Sequence, residues 1–567
     1  MATRILRNLH RLLPALALVC AAATAQAATI TIVNVDAPGE GFNDPTAVAP
    51  VGGNTGTTIG QQRLIVFQQA AAIWGGILPS AVEIRVNAAF NPLTCTSVSA
   101  VLGSCGATEV FRDFTGAEFP GTWYSKALAN KLYGSDLDAA NPDMNAQFNS
   151  NLGNTGCLDG VFWYYGLDHN HGANIDLLVV LLHEMAHGLG FQTFANGTNG
   201  AYLSGNPDVF LRFLYDQTTG LHWNEETAGQ RMASAIVPYK LLWDGSAAKF
   251  MAPHTLQQGR PVLRVNAPAG IAGDYAVGTA SFGPALSSPG VTGAVVLADD
   301  GAAPTSDACT ALVNGAQVAG KIAIVDRGTC AFTVKVKFCQ DAGAIGVIVA
   351  DNVAGAPPAG LGGADPTITI PSVRVTQADG VTLKAAIASG LNVTLLTDPA
   401  LLAGADPQGR VMMYTPNPFQ AGSSVSHFDV SCTPNLLMEP AVNGDLTSSV
   451  DLTRYAFEDE GWLPRTTGVP PVSIPAVAGL PPNQPNPFNR ATSIRFDLPQ
   501  EAQTDLDVYD ISGRLVRSLV HDRFPAGSHV VLWDGTGADG QRVHDGVYFT
   551  RLKVGGEVRS RQIVLVQ

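Results

Sequence analysis

The amino-acid sequence predicts a multi-domain α+β protein: an α/β module interrupts the first domain, and an all-β, Ig-like sandwich ends the chain. At 567 residues, the chain is longer than a single hydrophobic core usually supports. One long apolar segment, residues 174–190, has the length and the end signals of a buried helix. From about residue 256 the sequence changes to short Val/Ile-rich runs broken by Gly and Pro. A second series of short alternating runs fills residues 483–567.

The composition narrows the class of protein before any motif is considered. Lys and Arg number 33 against 47 Asp and Glu, a net charge of −14, while 46% of the residues are hydrophobic and 14% are charged. The apolar fraction excludes a mainly disordered chain. The acidic balance, with no run of Lys and Arg, argues against nucleic acid or an anionic membrane surface as a partner.

Residues 1–27 have the layout of a secretory signal peptide. Arginines precede an apolar stretch, Leu12–Ala23, and the small residues Ala25 and Ala27 mark the cleavage point. A membrane anchor is the alternative, but the apolar stretch is shorter than a bilayer span requires. No later segment is long and apolar enough to span a membrane, so the sequence predicts an exported protein without a membrane span.

Export makes disulfides the expected state of most cysteines. Cys95 and Cys105 are close enough in sequence to form a small loop bridge, and Cys309 has Cys330 and Cys339 as candidate partners. Seven cysteines follow the signal peptide, so at least one is free or forms an intermolecular bond. Because the chain has no CxxC pair, none of the spacings predicts a zinc site made of cysteines.

The segment 174–190 is predicted to form a buried helix. Asn174 or Asp176 can cap its start, and Gly188 and Gly190 can end it. Because the segment is apolar nearly all round, it belongs in a core rather than on a surface.

Three ionisable side chains interrupt this apolar helix in the pattern HExxH. His183 and His187 lie one turn apart on the same face, so both imidazoles can reach one metal ion. Glu184 is the next residue round the helix, where it can accept a proton from water. The alternative is a pair of hydrogen-bonded core histidines, but burying three such groups is costly unless a metal compensates. A catalytic zinc ion requires a third protein ligand.

Several residues are candidates for that third ligand. Thr193 lies six residues beyond His187, and a later segment, HWNEET, contains Glu225 and Glu226. A better candidate, His427, lies far along the chain in the segment SHFDVSCTPNLLMEP. This histidine is followed eleven residues later by Met438 and then by a helix-like segment that ends in Gly-Trp at residue 462.

These blocks resemble the leishmanolysin-like metalloproteases, in which HExxH is followed at a distance by a histidine, a methionine turn and a helix ending in Gly-Trp. The resemblance implies that His183, His187 and His427 bind one catalytic Zn²⁺, with Glu184 as the general base. It implies that Met438 packs beneath the metal without binding it. Phe428 stands where tryptophan is usual in that family. A zincin-like metalloprotease domain is therefore expected in two parts, residues 28–255 and 401–463.

Other polar clusters have weaker patterns. Asp136, Asp138 and Asp143 form an acidic loop that could bind Ca²⁺, but their spacing is not that of an EF-hand, and a solvated turn is favoured. His169 and His171 could touch a metal, but a position in the loop before the helix is favoured.

Residues 256–400 are predicted to form a separate α/β module inserted between the two parts of the first domain. Val318–Cys330 contains a buried strand, Phe332–Gly343 has helical spacing, and Ala344–Ala350 is another apolar strand, which together indicate a βαβ unit. These residues closely resemble a protease-associated (PA) domain, a non-catalytic domain that binds substrate segments or restricts access to an active site. Asp326 and Arg327 are expected to form an ion pair at a strand end.

The C-terminal region follows a Pro/Gly-rich linker, residues 464–482. About seven short strands are predicted in residues 483–567, which indicates a β-sandwich. The blocks QPNPFN, LDVYDISGRLVRSL and DGVYFTRL resemble FlgD-like and type IX sorting domains of exported bacterial proteins. The sorting version implies the outer-membrane secretion machinery as a partner, and simple attachment at the cell surface is the alternative.

The sequence as a whole predicts a secreted bacterial zinc metalloendopeptidase that acts on protein or peptide substrates. Tyr202, Tyr215 and Tyr455 are candidates for stabilising the oxyanion. The main alternative is a non-catalytic exported protein that binds protein or glycan on a degenerate protease fold. A third possibility is an exopeptidase that trims the ends of peptides.

Overall fold

The computed structural model describes residues 27–463 and most of residues 478–566. Within the latter range, residues 482, 484–485, 489–491, 501, 525–526, 534 and 539–540 are left out. The predicted signal peptide lies outside the described residues except for Ala27, as does the predicted linker except for residues 478–481. The chain divides into two compact units, one of residues 1–120 with 124–189 and one of residues 121–123 with 190–567.

The first unit is built on a four-stranded sheet. Its strands, in spatial order, are Ile30–Asn34, Ile84–Asn91, Met144–Asn149 and Gly103–Ala107. The first three are parallel, and the last pairs antiparallel at the edge. The helices are Ile59–Ile77, Lys126–Tyr133 and Leu177–Leu189, with a 3-10 turn at Gly41–Asn43. Two-residue strands lie at Cys95–Thr96, Ser99–Ala100, Val110–Phe111, Tyr124–Ser125, Trp163–Tyr164 and Ile175–Asp176.

The helix Leu177–Leu189 packs closely on this sheet. A Cβ at Gly188 would lie 2.4 Å from Met144 Sδ and 2.7 Å from Cys105 Sγ, so a larger residue would require these two side chains to move. On the opposite side of the helix, the indole of Trp74 donates a hydrogen bond of 3.1 Å to the carbonyl of Leu182. The helix is therefore held between the sheet and the long helix Ile59–Ile77.

The predicted Cys95–Cys105 disulfide is wrong, because Cys95 pairs with Cys157. Backbone hydrogen bonds from Leu158 to Thr96 and from Asp159 to Ser97 hold the Cys157 segment beside the Cys95 hairpin. Cys105 instead lies on the edge strand, buried as a free thiol beneath the helix. Cys95 and Cys105 are close in sequence but pair with different segments. The hairpin that carries Cys95 bonds the Cys157 segment, whereas the strand that carries Cys105 pairs with Met144–Asn149.

The second unit begins with a small four-stranded sheet and ends with the Ig-like domain. The sheet strands, in order, are Leu221–His222, Leu214–Asp216, Leu241–Trp243 and Val411–Met412. The helices of this part are Ala228–Ser234, Ser246–Thr255 and Thr453–Glu460, with 3-10 turns at Leu203–Gly205 and Phe210–Phe213. Strands from before and after residues 256–400 therefore share one sheet, as an insertion requires.

The inserted α/β module contains an eight-stranded sheet. In spatial order its strands are Gly273–Tyr275, Gln258–Ala267, Asn392–Leu402, Val291–Leu297, Ile322–Asp326, Gly346–Ala350, Ser372–Val375 and Gly278–Thr279. Its helices are Gly315–Val318, Phe332–Asp341 and Gln377–Ala386, with 3-10 turns at Ala269–Ile271 and Ile387–Ser389. The predicted βαβ unit is confirmed, because Ile322–Asp326 and Gly346–Ala350 pair in parallel on either side of the helix Phe332–Asp341.

The module enters and leaves the rest of the unit on adjacent strands. Gln258 lies opposite Leu402 in the antiparallel pair of Gln258–Ala267 with Asn392–Leu402. An insertion whose two ends lie side by side can be accommodated in a host domain without separating its parts.

Cys309 pairs with one of its two candidate partners, whereas the predicted ion pair between Asp326 and Arg327 is replaced by two others. Of the two candidate partners of Cys309, Cys330 forms the disulfide, and Cys339 is a buried free thiol. Asp326 and Arg327 do form ion pairs at the strand end, but not with each other. Asp326 pairs with Lys384 at 2.6 Å, and Arg327 pairs with Asp351 at 3.1 Å.

The C-terminal region is a sandwich of two antiparallel sheets. One sheet pairs Thr492–Leu498 with Gly527–Trp533, and the other has the order Leu515–Phe524, Ala502–Asp510, Gly546–Val554 and Glu557–Leu565. Six strands are present among the described residues, against about seven predicted. Phe488, Trp533 and Tyr548 pack ring against ring in the core between the sheets. In the described part of the chain, no helix has the length and apolar character needed to cross a membrane.

Candidate metal centre

The HExxH motif lies on a helix whose start is fixed by Asp176. Its Oδ1 accepts hydrogen bonds from the backbone N–H groups of Leu178 at 2.9 Å and Val179 at 3.4 Å, so it caps the first turn. Asn174, the other predicted cap, instead accepts a hydrogen bond from the N–H of Phe162. Nearly every residue of Leu177–Leu189 is buried, which confirms the prediction of a core helix.

The two histidines of the motif are arranged as ligands of one metal ion would be. His183 Nε2 and His187 Nε2 are 3.2 Å apart, and their rings stand nearly perpendicular at 80°. Two nitrogen ligands about 2.05 Å from a tetrahedral zinc ion lie about 3.3 Å apart. The donor atoms and their spacing therefore fit zinc.

Glu184 lies against the edge strand of the sheet. Its carboxylate accepts a hydrogen bond from the backbone amide of Cys105, and burial outweighs this bond and raises its pKa to about 7. A carboxyl group with a pKa near neutrality can both accept and return a proton at that pH. Sequence analysis did not place the Cys105 amide beside this group.

His427 belongs to the second unit, and a backbone carbonyl of a neighbouring residue orients its ring. The side chain is 4% exposed, and its Nδ1 lies 2.7 Å from the carbonyl oxygen of Ser423. Because a carbonyl can only accept, Nδ1 carries the proton and Nε2 carries the lone pair. A histidine held in this way by a carbonyl is typical of a metal ligand.

Met438 lies directly beside the His427 segment. Its carbonyl accepts a hydrogen bond of 2.8 Å from the N–H of Phe428, and its side chain is fully buried. The turn is held by Glu439, whose Oε1 accepts a hydrogen bond of 2.9 Å from the N–H of Leu436. These contacts agree with a packing role for Met438.

The alternative third ligands have other partners within the second unit. Thr193 donates a hydrogen bond of 2.8 Å to Asp208, and Glu225 accepts one of 2.9 Å from the N–H of His222. Glu226 accepts a hydrogen bond of 2.6 Å from Thr219. Each of these side chains already has a structural role.

The acidic loop resembles a set of turns more than a calcium site. Asp143 is 1% exposed and accepts hydrogen bonds from Asn130 and from the N–H of Arg85. Asp136 also bonds Asn130, and Asp138 bonds Asn141. Carboxylate oxygens that could otherwise bind calcium thus already accept hydrogen bonds from amide groups.

The histidines before the helix lie in a loop, as predicted. His169 lies 2.7 Å from Asp176 Oδ2 with its Nδ1, and His171 lies 2.8 Å from the Asn174 carbonyl. His169 has a left-handed backbone with φ 59°, which no sequence pattern marks at a histidine. Asp176 therefore both caps the metal-site helix and fixes the loop before it, and only the capping was predicted.

The tyrosine candidates differ in their surroundings. The Tyr202 hydroxyl donates to the Trp223 carbonyl at 2.9 Å and accepts from Arg231 at 2.7 Å, so its hydrogen-bonding capacity is already in use. Tyr215 packs beneath the guanidinium of Arg410, whose central carbon lies 4.2 Å from the ring centre. Tyr455 lies on the helix Thr453–Glu460.

Two protein-family models match parts of this chain. Residues 291–383 match the PA domain, and residues 484–555 match the FlgD Ig-like domain. The chain therefore contains both domains, which confirms the resemblances to the PA domain and to FlgD-like domains, while the type IX sorting role stays a prediction. The leishmanolysin-like assignment of the remaining parts stays a prediction.

Short stretches of the chain are similar to characterised peptidases. Leucine aminopeptidase 2 of Arthroderma otae is 44% identical over 71 residues, which are 12% of this chain and 14% of that protein. Minor extracellular protease Vpr of Bacillus subtilis is 34% identical over 76 residues, 13% of this chain and 9% of that protein. The chain thus spans about a seventh or less of the length of these relatives.

Similarities to solved structures are also local. The zinc aminopeptidase BSAP from Bacillus subtilis is 22% identical, with 27% of this chain and 35% of that chain covered and a TM-score of 0.19. FlgD from P. aeruginosa is 24% identical, with 13% of this chain and 58% of that chain covered and a TM-score of 0.12.

Proposed function

We propose that this protein is a secreted zinc metalloendopeptidase. The observation that carries the proposal is the His183–His187 pair, whose Nε2 atoms are 3.2 Å apart on a buried helix that also presents Glu184. The PA domain supports the proposal, and so do the similar stretches in leucine aminopeptidase 2 and Vpr, which are both peptidases.

We assign the third zinc ligand to His427. The assignment follows the resemblance to the leishmanolysin-like metalloproteases, in which a histidine far along the chain is a zinc ligand. The hydrogen bond from His427 Nδ1 to Ser423 supports this assignment, because it leaves Nε2 as the coordinating atom. Three histidines leave a fourth tetrahedral position open, which is the arrangement of a catalytic zinc site.

The chain's own residues perform the proton transfers. Bound zinc would supply Lewis-acid chemistry, making water more acidic and polarising the scissile carbonyl. Glu184 accepts the proton of the attacking water and then delivers it to the leaving amine.

Metal content and hydrolysis test this proposal together. Purified protein beginning at residue 28 should contain one zinc ion per chain and cleave casein, and a zinc chelator should abolish that cleavage until zinc is restored. A peptide blocked at both ends should also be cut, because an endopeptidase needs no free terminus. Cleavage only of unblocked peptides would instead indicate an exopeptidase. A zinc-free, inactive protein would favour the alternative of a non-catalytic binding protein.

The PA domain is proposed to control access of protein substrates. Deleting residues 260–398 should change cleavage of folded proteins more than cleavage of short peptides, because short peptides need no controlled access. The host strands can rejoin after the deletion, since Gln258 lies opposite Leu402. The comparison requires kcat/KM for one folded protein and one peptide with each form. Equal losses on both substrates would contradict a gating role.

The C-terminal domain is proposed to act in localisation rather than catalysis. As a sorting domain it would direct passage through the outer-membrane secretion machinery, and in the alternative it would simply attach the protein at the cell surface. The protein would then work outside the cell or at its surface.

A further inference from the structure

A cavity of about 830 Å³ lies in the second unit between the PA domain and the chain that follows it. On one side it is lined by residues 351–360 of the PA domain, and on the other by Tyr239 and residues 412–420 in part. The two sides are joined by paired backbone hydrogen bonds of 2.9 and 2.8 Å between Ala356 and Asn417. The volume is in the range of sites that bind small molecules or short peptide segments.

Arg260 lines this cavity without an ion pair. Its Nη1 has only two long contacts, 3.5 Å to the Ala405 carbonyl and 3.8 Å to Met412 Sδ. No carboxylate of the described residues lies within ion-pair distance of its guanidinium. Most of its five N–H donors are therefore available to a ligand.

The acidic side chains around Arg260 are already paired with other arginines. Arg264 binds Asp274 with two hydrogen bonds of 2.7 and 2.9 Å and also pairs with Asp398. Arg410 pairs with Asp406 at 2.7 Å. These contacts explain why Arg260 remains unpaired although three carboxylates are near.

A second guanidinium with spare donor capacity lies in the same wall. Arg374 is 7% exposed and pairs with Asp351 through Nη2, and its buried Nε has no hydrogen-bond partner. Arg327 shares the same carboxylate at 3.1 Å. Asp351 is thus the ion-pair partner of both Arg374 and Arg327.

The lining of the cavity is positive on a chain that is negative overall. Four cations, Lys240, Arg260, Arg327 and Arg374, face three carboxylates, and two of those three are also bound by arginines outside the lining. The whole chain has a net charge of −14. One guanidinium without an ion pair, Arg260, in a concave site with a local excess of positive charge favours an anion with planar oxygens, which arginine binds through two parallel hydrogen bonds.

We propose that this cavity binds a carboxylate of a peptide, with Arg260 as the principal ligand. This inference rests on the proposed function, because it treats the bound peptide as a substrate. It adds that the substrate binds through a carboxylate. The carboxylate can be an Asp or Glu side chain or the C-terminus of the peptide. Tyr239 and Tyr275, with several prolines of the lining, provide apolar surface for the rest of an extended segment.

The cavity is structurally continuous with the proposed metal ligand. Tyr414 lines the cavity, and its N–H donates a hydrogen bond of 2.9 Å to the carbonyl of His427. The carbonyl of Tyr414 accepts a hydrogen bond of 2.7 Å from the N–H of Val425. Tyr414 therefore links the lining of the cavity to the backbone of His427.

Peptide binding to the full chain with the inactivating change Glu184→Gln tests the inference. Three fluorescent peptides of one sequence are compared: one with an internal Glu and an amidated end, one with Gln and an amidated end, and one with Gln and a free C-terminus. At least one carboxylate-bearing peptide should bind about tenfold more tightly than the neutral one, and the stronger of the two identifies the source of the carboxylate. Equal binding of all three peptides would overturn the inference.

Variants of Arg260 show whether this residue provides the preference. Arg260→Gln should remove it, and Arg260→Lys, which keeps the charge but not the planar fork, should retain part of it. Arg514→Gln removes the same charge from an exposed side chain of the C-terminal domain and should leave the preference intact. A preference that survives Arg260→Gln would contradict the assignment.

The two proposals can fail separately. Binding is measured without hydrolysis, so acidic peptides bound by a zinc-free protein would support the cavity and contradict the peptidase. A zinc-dependent peptidase that binds all three peptides alike would support the enzyme and contradict the cavity.

Discussion

Replacing Glu184 with Gln is expected to lower peptide hydrolysis by about 10²- to 10⁴-fold while zinc content stays at one ion per chain. Glutamine keeps the shape of the side chain and its contact with the Cys105 amide but cannot accept a proton from water. Glu184→Ala should lose as much activity, because the lost function is proton transfer rather than packing. Hydrolysis rates and zinc content by mass spectrometry, measured on the same samples, provide the test.

Glu225 offers a matched control for this change. It lies in the HWNEET segment, and its carboxylate accepts a hydrogen bond from the N–H of His222 in its own turn. Glu225→Gln should therefore leave both hydrolysis and zinc content unchanged. Full turnover in Glu184→Gln would remove Glu184 from the proton-transfer role.

His427→Ala is expected to abolish stable zinc binding and, with it, hydrolysis. Removing even a group that only orients a metal ligand typically costs 10- to 100-fold in metal affinity, so losing a ligand should cost more than about 100-fold. A competition titration with a coloured chelator measures this loss directly. His222→Ala, which removes a partly exposed histidine paired with Asp244, is the control and should keep its zinc.

An unchanged zinc affinity in His427→Ala would assign the third position to another residue. Thr193 and Glu226 are the candidates, and Thr193→Val and Glu226→Gln would then be compared in the same titration. The third ligand is then the residue whose replacement releases the metal, because only one of the two changes should do so.

The parts of the fold that could be predicted are those determined by local sequence. The helix carrying His183 and His187 follows from its apolar run and the Asp176 cap, and the βαβ unit follows from two short Val/Ile runs around a helical segment. The PA and Ig-like domains have distinctive blocks that a single sequence reveals. The zincin-like fold of the first domain stays a prediction, since HExxH specifies one helix and not the sheet around it.

The parts that could not be predicted depend on contacts between distant segments. Cys157 lies 62 residues from Cys95, and only the pairing of its segment with the hairpin brings the two thiols together. The Cys105 amide reaches Glu184 because an edge strand passes beneath the helix. The cavity around Arg260 is lined by residues spread from 217 to 433, and no motif links them in sequence.

The insertion of the PA domain has a consequence for the timing of biosynthesis. Residues 188–426 separate the first two proposed ligands from the third, and the eight-stranded sheet is built entirely within that interval. A chain that emerges N-terminus first presents His183 and His187 long before His427 exists outside the ribosome or the export channel. The proposed zinc site therefore stays incomplete until almost all of the host domain has emerged.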